Sequence, residues 1–227
     1  MRPVDQVQLL ASLAIPPWEE FGRSSAGRPL LVRSFPGAAD VPAVLLFGAI
    51  HGDEPLGAFC LCRLAEELAA SAPVRTVWIA PVVNPDGFLD GVKDNARSVD
   101  LNRNFPATSW RREHAPGYFP GEQAGSEPET RALMTLIARV GAERLITLHS
   151  PFRTVNFDGP ARRLAERIAA LNGYGVSEDI GYPTPGSFGS LYGRDHEREV
   201  ITLEIPLMDP EAAWRENRRA LLVTVAD

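Results

Sequence analysis

A chain of 227 residues, 44% of them apolar, holds enough material for one sizeable core and is too apolar to be disordered. A net charge of −6 excludes a broadly basic, nucleic-acid-binding surface and makes each local cluster of Arg or Lys worth following. Two cysteines make no disulfide framework, and MRPVDQVQLLASLAIPPWEE carries too short an apolar run for a signal peptide or a membrane span, so a cytoplasmic protein without a membrane partner is expected.

RPLLVRSFPG (28–37) and VPAVLLFGAI (41–50) read as strands, apolar and bounded by Gly, Pro and Asp. PLGAFCLCRLAEELAAS (55–71) follows with helical periodicity, and its Cys60 and Cys62, two apart, face different sides of that helix and read as buried structural residues. VRTVWIAPVVN (74–84) is a strand apolar on both faces, as one covered on both sides should be. SEPETRALMTLIARVG (126–141) predicts a helix with Ser126 as N-cap and Gly141 at its end. RLITLHS (144–150) is a strand, GPARRLAERIAALNG (159–173) a helix, REVITLEIP (198–206) a strand and DPEAAWRENRRALLVTVA (209–226) a closing helix. Strands alternating with helices predict an α/β fold of three layers, a mixed and largely parallel sheet flanked by helices, in one domain spanning 1–227. The stretch 84–125 shows little periodicity, is long for a connection, and is too specific in composition for a disordered linker.

Three predicted strands end in polar residues that turning alone does not require. LFGAI ends at His51, LITLH at His149, and VITLE at Glu204. If the strands are parallel, all three open onto the sheet edge where α/β proteins bind ligands. His51, Glu54 and His149 are a candidate zinc set, two imidazoles and a carboxylate with a fourth position left open. Taken singly, each has a plainer reading: a strand-end His bonded to backbone, and Glu54 as an acid favoured by the helix dipole. Glu204 interrupts an apolar strand, where it serves either a salt bridge or a general base beside the metal. RSVDLNRNFP packs Arg97, Asn102 and Arg103 together, a cluster suited to a carboxylate or phosphate and also tolerable in a solvated loop.

His51-x-x-Glu54, DLNRNFP at 100–106, His149 after its strand and Glu204 before Pro206 together resemble the zinc carboxypeptidase family, the relatives of carboxypeptidase A. GAIHGDE, VNPDGF, GSEPET and GYPTPGSFGS resemble more narrowly the murein peptide amidase branch, cytoplasmic enzymes that cut between γ-D-glutamate and meso-diaminopimelate in recycled cell-wall peptides. The resemblance implies a zinc-carboxypeptidase-like fold, one zinc per chain on His51, Glu54 and His149, and Glu204 as the catalytic glutamate. It implies Asn102 and Arg103 as the grip on the carboxylate of a small peptide substrate, in a monomer or homodimer. The family's carbonyl-polarising cation falls on Lys93 or Arg97, with Arg97 preferred for its fork of donors. Its mobile phenol falls on Tyr192, unless PTPGSFGS, with Ser187, forms a recognition loop for the diaminopimelate head group instead. Two other readings stand beside this one: an aspartoacylase or succinylglutamate desuccinylase acting on N-acyl amino acids, and a non-catalytic binder of cell-wall peptides.

Overall fold

The computed structural model describes residues 6–13, 17–38 and 40–226, so the expectation for the opening stretch falls partly on residues outside the described ones. Among the described residues, no helix is long and apolar enough to cross a membrane.

One eight-stranded sheet forms the middle of the fold. Its strands are β1 (Glu19–Arg23), β2 (Pro29–Phe35), β3 (Val44–Gly48), β4 (Val77–Ala80), β5 (Arg144–His149), β6 (Thr154–Asp158), β7 (Gly175–Ser177) and β8 (Glu199–Glu204). They lie in the order β1-β2-β4-β3-β5-β8-β6-β7. β4, β3, β5 and β8 are mutually parallel, as are β6 and β7, while the β1–β2, β2–β4 and β6–β8 pairs are antiparallel. The mixed sheet is as expected, and the condition that His51, His149 and Glu204 share an edge is met because β3, β5 and β8 run the same way.

Every residue of β3 and β5 is buried, which is why neither shows alternation in sequence. Alternation reappears in which core each residue joins: Val44 and Leu46 pack in one apolar cluster, Leu45 and Phe47 in the other. Helices α2 (Pro55–Ala70), α5 (Arg162–Asn172) and α6 (Pro210–Ala226) add Leu61, Ile168 and Leu221 to the first cluster. Helix α4 (Pro128–Val140) adds Leu133 and Leu136 to the second. These are the three layers. The short helices α1 (Gln6–Ala11) and α3 (Pro85–Asp90) lie outside them and pack on each other.

Two local expectations can be checked directly. Gly141 closes α4 with φ 62°, the left-handed conformation that lets a helix stop there. Ser126 is not the N-cap: Glu127 takes that position without a side-chain cap bond, and the Ser126 hydroxyl is held between Asn104 Nδ2 and Glu127 Oε1. Cys60 and Cys62 are both buried and unpaired by disulfide, and burial pushes each thiol up to about 12, away from nucleophilic use.

The aperiodic stretch is compact. Asn104 Nδ2 donates to the carbonyls of Pro120 (2.7 Å) and Gln123 (3.1 Å), and Asp100 N donates to Phe119 O at 2.9 Å. A 3-10 turn, Leu101–Arg103, is set by Asp100, whose side chain accepts from Asn102 N. Polar side chains, rather than an apolar stripe, tie this segment down.

Candidate active site

β3 ends at Gly48, and the chain turns through His51 and Gly52 before α2 begins at Pro55. That turn is clamped from outside, since Gly52 N donates to Lys93 O (3.1 Å) and Asn84 N to Ala49 O (2.9 Å). Gly52 is required by close approach: a Cβ there would lie 2.0 Å from the carbonyl carbon of Gly87. Glu54 stands at the N-cap position of α2 but makes no cap bond with its side chain. Its carboxylate bridges the two imidazoles instead. His51 Nδ1 lies 2.9 Å from Oε1, and His149 Nδ1 lies 3.0 Å from Oε2, which also accepts from Ser150 N at 3.1 Å. The helix-dipole reading of Glu54 and the backbone reading of the two histidines both give way to this convergence.

His51, Glu54 and His149 present ligand atoms all within 4.8 Å of one another. Two neutral nitrogens and one anionic oxygen around a single point, largely out of water, is a donor set that fits zinc. The surrounding charge fits it as well. Burial would lower the His51 pKa, yet hydrogen bonds and charge from Asp100 and Glu54 hold it up at about 10. Glu54, despite burial, is held down to about 2 by His149 and His51. A site that pulls so hard on protons prefers a cation. Asp100, fully buried, completes the orientation: its Oδ1 lies 3.2 Å from His51 Nε2, fixing the tautomer that turns Nδ1 inward. Its other oxygen accepts from Lys93 Nζ at 2.5 Å, and the Lys93 ammonium also sits 3.9 Å over the Tyr118 ring.

His149 and Glu204 end neighbouring strands and are Cα partners in the β5–β8 ladder. Glu204 is 5% exposed, its Oε2 has no hydrogen-bond partner among the described residues, and burial raises its pKa against the opposing pull of His149. Both open into a cavity of about 270 Å³ that Asn102, Arg103, Ser187 and Tyr182 also line. Asn102 Oδ1 accepts from Phe188 N at 3.0 Å, which anchors the 183–190 loop to the DLNRN turn. Arg103 Nη1 donates to Asn102 O at 2.7 Å. Ser187 Oγ is occupied within its own loop by Ser190.

Two expected site residues are not brought to the cavity. Arg97 has a side chain 57% exposed that faces Glu127 at 3.7 Å and does not line the pocket. The physical reason is its loop: Arg97 N donates to Asn95 Oδ1, and the guanidinium is turned away from the metal set toward Glu127. Tyr192 lies in a π-helical turn, Ser190–Asp195, and is buried in the second apolar cluster against Phe188, with Arg198 over its ring. The phenol at the cavity is Tyr182, whose neighbours are Arg103 and Tyr118. Sequence reasoning also passed over Asp100, although it opens the quoted DLNRNFP, and over Asp158 and Arg194, which also line the cavity.

Comparison with known proteins agrees with this geometry. Residues 17–161 match the zinc carboxypeptidase family model. Murein peptide amidase A of Escherichia coli K12 is 35% identical over 213 residues, covering 88% of this chain and 86% of the relative. The crystal structure of a murein-tripeptide amidase from Escherichia coli O157 superposes with TM-score 0.77 at 31% identity, covering 93% of each chain. Carboxypeptidase A from Helicoverpa armigera, at 19% identity, shares the fold with TM-score 0.83 over 96% of this chain and 71% of its own. By the matched family model, the extent of the similarity and a donor set that fits zinc, the chain belongs to the zinc carboxypeptidase family and is a metallopeptidase.

Proposed function

We propose that this metallopeptidase acts on murein peptides, as a single catalytic domain, and hydrolyses the amide between γ-D-glutamate and meso-diaminopimelate. The observation that carries the reading is the convergence of His51, Glu54 and His149 beside Glu204 in a cavity that Asn102 and Arg103 also line, in a chain similar to murein peptide amidases along most of its length. The same reading places the reaction in the cytoplasm, on wall peptides released for reuse.

His51, Glu54 and His149 would hold the zinc. When bound, zinc supplies Lewis acidity to the scissile carbonyl and the attacking water. Glu204, its pKa raised by burial, takes the proton of that water and hands it to the leaving amine. Asn102 and Arg103 grip the free carboxylate on the leaving side, the guanidinium through paired donors. Lys93, the other cation weighed for the developing oxyanion, is tied by Asp100 to the far nitrogen of His51 and, like Arg97, does not line the cavity, so the cation that can reach substrate there is Arg103. Tyr182 replaces Tyr192 as the phenol that meets substrate, and Ser187 shapes the loop beside it.

The test is product analysis by mass spectrometry of the zinc-loaded protein with L-Ala-γ-D-Glu-meso-diaminopimelate and, in parallel, N-acetylaspartate. Release of free diaminopimelate is the expected result. Cleavage of N-acetylaspartate alone would transfer the protein to the N-acyl amino acid hydrolases, and tight binding of the tripeptide without turnover would make it a binder.

A further inference from the structure

The segment that follows the DLNRN turn is stitched back onto it through main-chain atoms. Lys93 Nζ donates to Gly117 O at 2.7 Å, and Asp100 N donates to Phe119 O at 2.9 Å. The residue between these two anchored carbonyls is Tyr118, whose own N donates to Ala115 O at 3.1 Å. Its half-buried ring is thus delivered to one place. Two cations lie over that ring, Lys93 Nζ at 3.9 Å from its centre and Arg103 Cζ at 5.1 Å. The Tyr182 ring is 6.2 Å away and tilted by 53°.

Arg103 needs such a neighbour. Its main chain is fixed, because Arg103 N donates to Asp100 O at 2.9 Å and the loop at Gly186 is pressed against Arg103 O, 2.4 Å from where a Cβ would be. Its guanidinium stands at the end of a flexible stem, and the bond from Nη1 to Asn102 O is to its own neighbour in the chain. No carboxylate lies within ion-pair reach of it among the described residues. A ring holds such a group better than a carboxylate would. It attracts the guanidinium through its face and takes up none of the N–H donors, whereas a carboxylate would occupy the fork that an incoming carboxylate needs. Tyr118 does not line the catalytic cavity. With Arg103 and Tyr182 it lines a neighbouring cavity of about 360 Å³, so it reaches Arg103 from the side away from the metal set.

We infer that Tyr118 is a positioning residue, which holds the Arg103 guanidinium ready for the substrate's carboxylate through its ring and not through its hydroxyl. The inference rests on the proposed peptidase reading and deepens it, since it names what orients the grip in the absence of substrate.

The test uses the zinc-loaded wild type, Tyr118→Phe and Tyr118→Leu, each measured for zinc affinity. The substrates are L-Ala-γ-D-Glu-meso-diaminopimelate and the same peptide amidated at the carboxylate next to the scissile bond. On the free acid, Tyr118→Leu should raise KM by about 3- to 30-fold, the span a cation–π contact is worth, and leave kcat within about twofold. Tyr118→Phe should stay within about twofold of wild type in both, because it keeps the ring. On the amide the three proteins should converge, since ring and carboxylate act through one guanidinium and their losses do not add. Zinc affinity should be the same in all three. An unchanged KM in Tyr118→Leu, a penalty of equal size on acid and amide, a Tyr118→Phe variant as weak as Tyr118→Leu, or a loss confined to zinc affinity overturns the assignment. A second readout needs no substrate: labelling of Arg103 by phenylglyoxal, followed by peptide mass spectrometry. The released guanidinium of Tyr118→Leu should label several times faster than that of wild type or Tyr118→Phe, and equal rates in all three would sink the inference. If the wild type cleaves neither peptide, the proposed function fails, and the labelling rates alone decide the role of Tyr118.

Discussion

Asp100 and Glu204 are both buried carboxylates beside a site histidine, the first bonded to His51 and the second across the ladder from His149, yet their surroundings assign them opposite work. Asp100 is saturated: it accepts from His51, from Asn102 N and from Lys93, and those partners drive its pKa far below the ordinary range despite burial. A carboxylate so held cannot exchange protons near neutrality, so its part is to hold His51 in one tautomer and one orientation. Glu204 has an oxygen with no partner among the described residues and a raised pKa, the condition of a group free to take a proton and give it back. Substitution should separate the two roles. Glu204→Gln should keep zinc and lose about 10²-fold or more in kcat, because only proton transfer is removed. Asp100→Asn should bind zinc about 10- to 100-fold more weakly, with turnover recovering as zinc is raised. Zinc titration against a chelating dye, run beside kinetics at saturating metal, reads both. Loss of metal from Glu204→Gln would make it a ligand, and normal zinc affinity in Asp100→Asn would reduce that residue to packing.

At the scale of elements, legibility tracks how apolar each one is. β3, β5 and β8 are buried on both faces, so their runs stood out in sequence and fixed where His51, His149 and Glu204 emerge. β6, reading TVNFD, contributes only Val155 and Phe157 to the apolar core and turns Asn156 and Asp158 toward the cavity. The polarity that faces the cavity also hid it as a strand, and that wall of the cavity was hidden with it. α3 was invisible for another reason: six residues, PDGFLD, with a glycine inside, are capped by the Asn84 side chain instead of announced by periodicity. Arg97 and Tyr192 failed as candidates because nearness in sequence to a motif does not say which way a loop turns its side chains. The β3–α2 turn carries two of the three metal residues, and its tolerance can be measured. Gly52→Ala places a methyl 2.0 Å from the Gly87 backbone, which cannot rotate away as a side chain could. The variant should lose about 1–3 kcal/mol in urea unfolding and bind zinc more weakly, because His51 moves with the turn. Gly175→Ala on β7, whose nearest atom would be 3.9 Å off, should stay within about 0.5 kcal/mol of wild type. Equal stability of the two variants would mean the turn is not held by that contact.

For the molecule as a whole, the metal set joins parts of the chain that the apolar clusters hold only from below. His51 and Glu54 come from the junction of β3 and α2, His149 from the end of β5, and each element is rooted in the sheet-and-helix core. The elements that bear these residues pack into the apolar core by their own side chains, so the protein should be folded before zinc binds. Zinc binds those residues only when the fold has brought them together, and a ligand of the native state adds RT ln(1 + [L]/Kd) to stability, about 4 kcal/mol at a thousandfold excess over Kd. For a chain of this length that converts to a rise in Tm of about 8–16 °C. Calorimetric scans of the wild type in chelator and in zinc should show a shift of that size. His149→Ala should remove it, because two ligands on one turn do not make the set, while Glu204→Gln should keep it in full. A wild type indifferent to zinc, or a His149→Ala variant that keeps the whole shift, would mean that the histidines and Glu54 are a hydrogen-bonded cluster and not a metal centre.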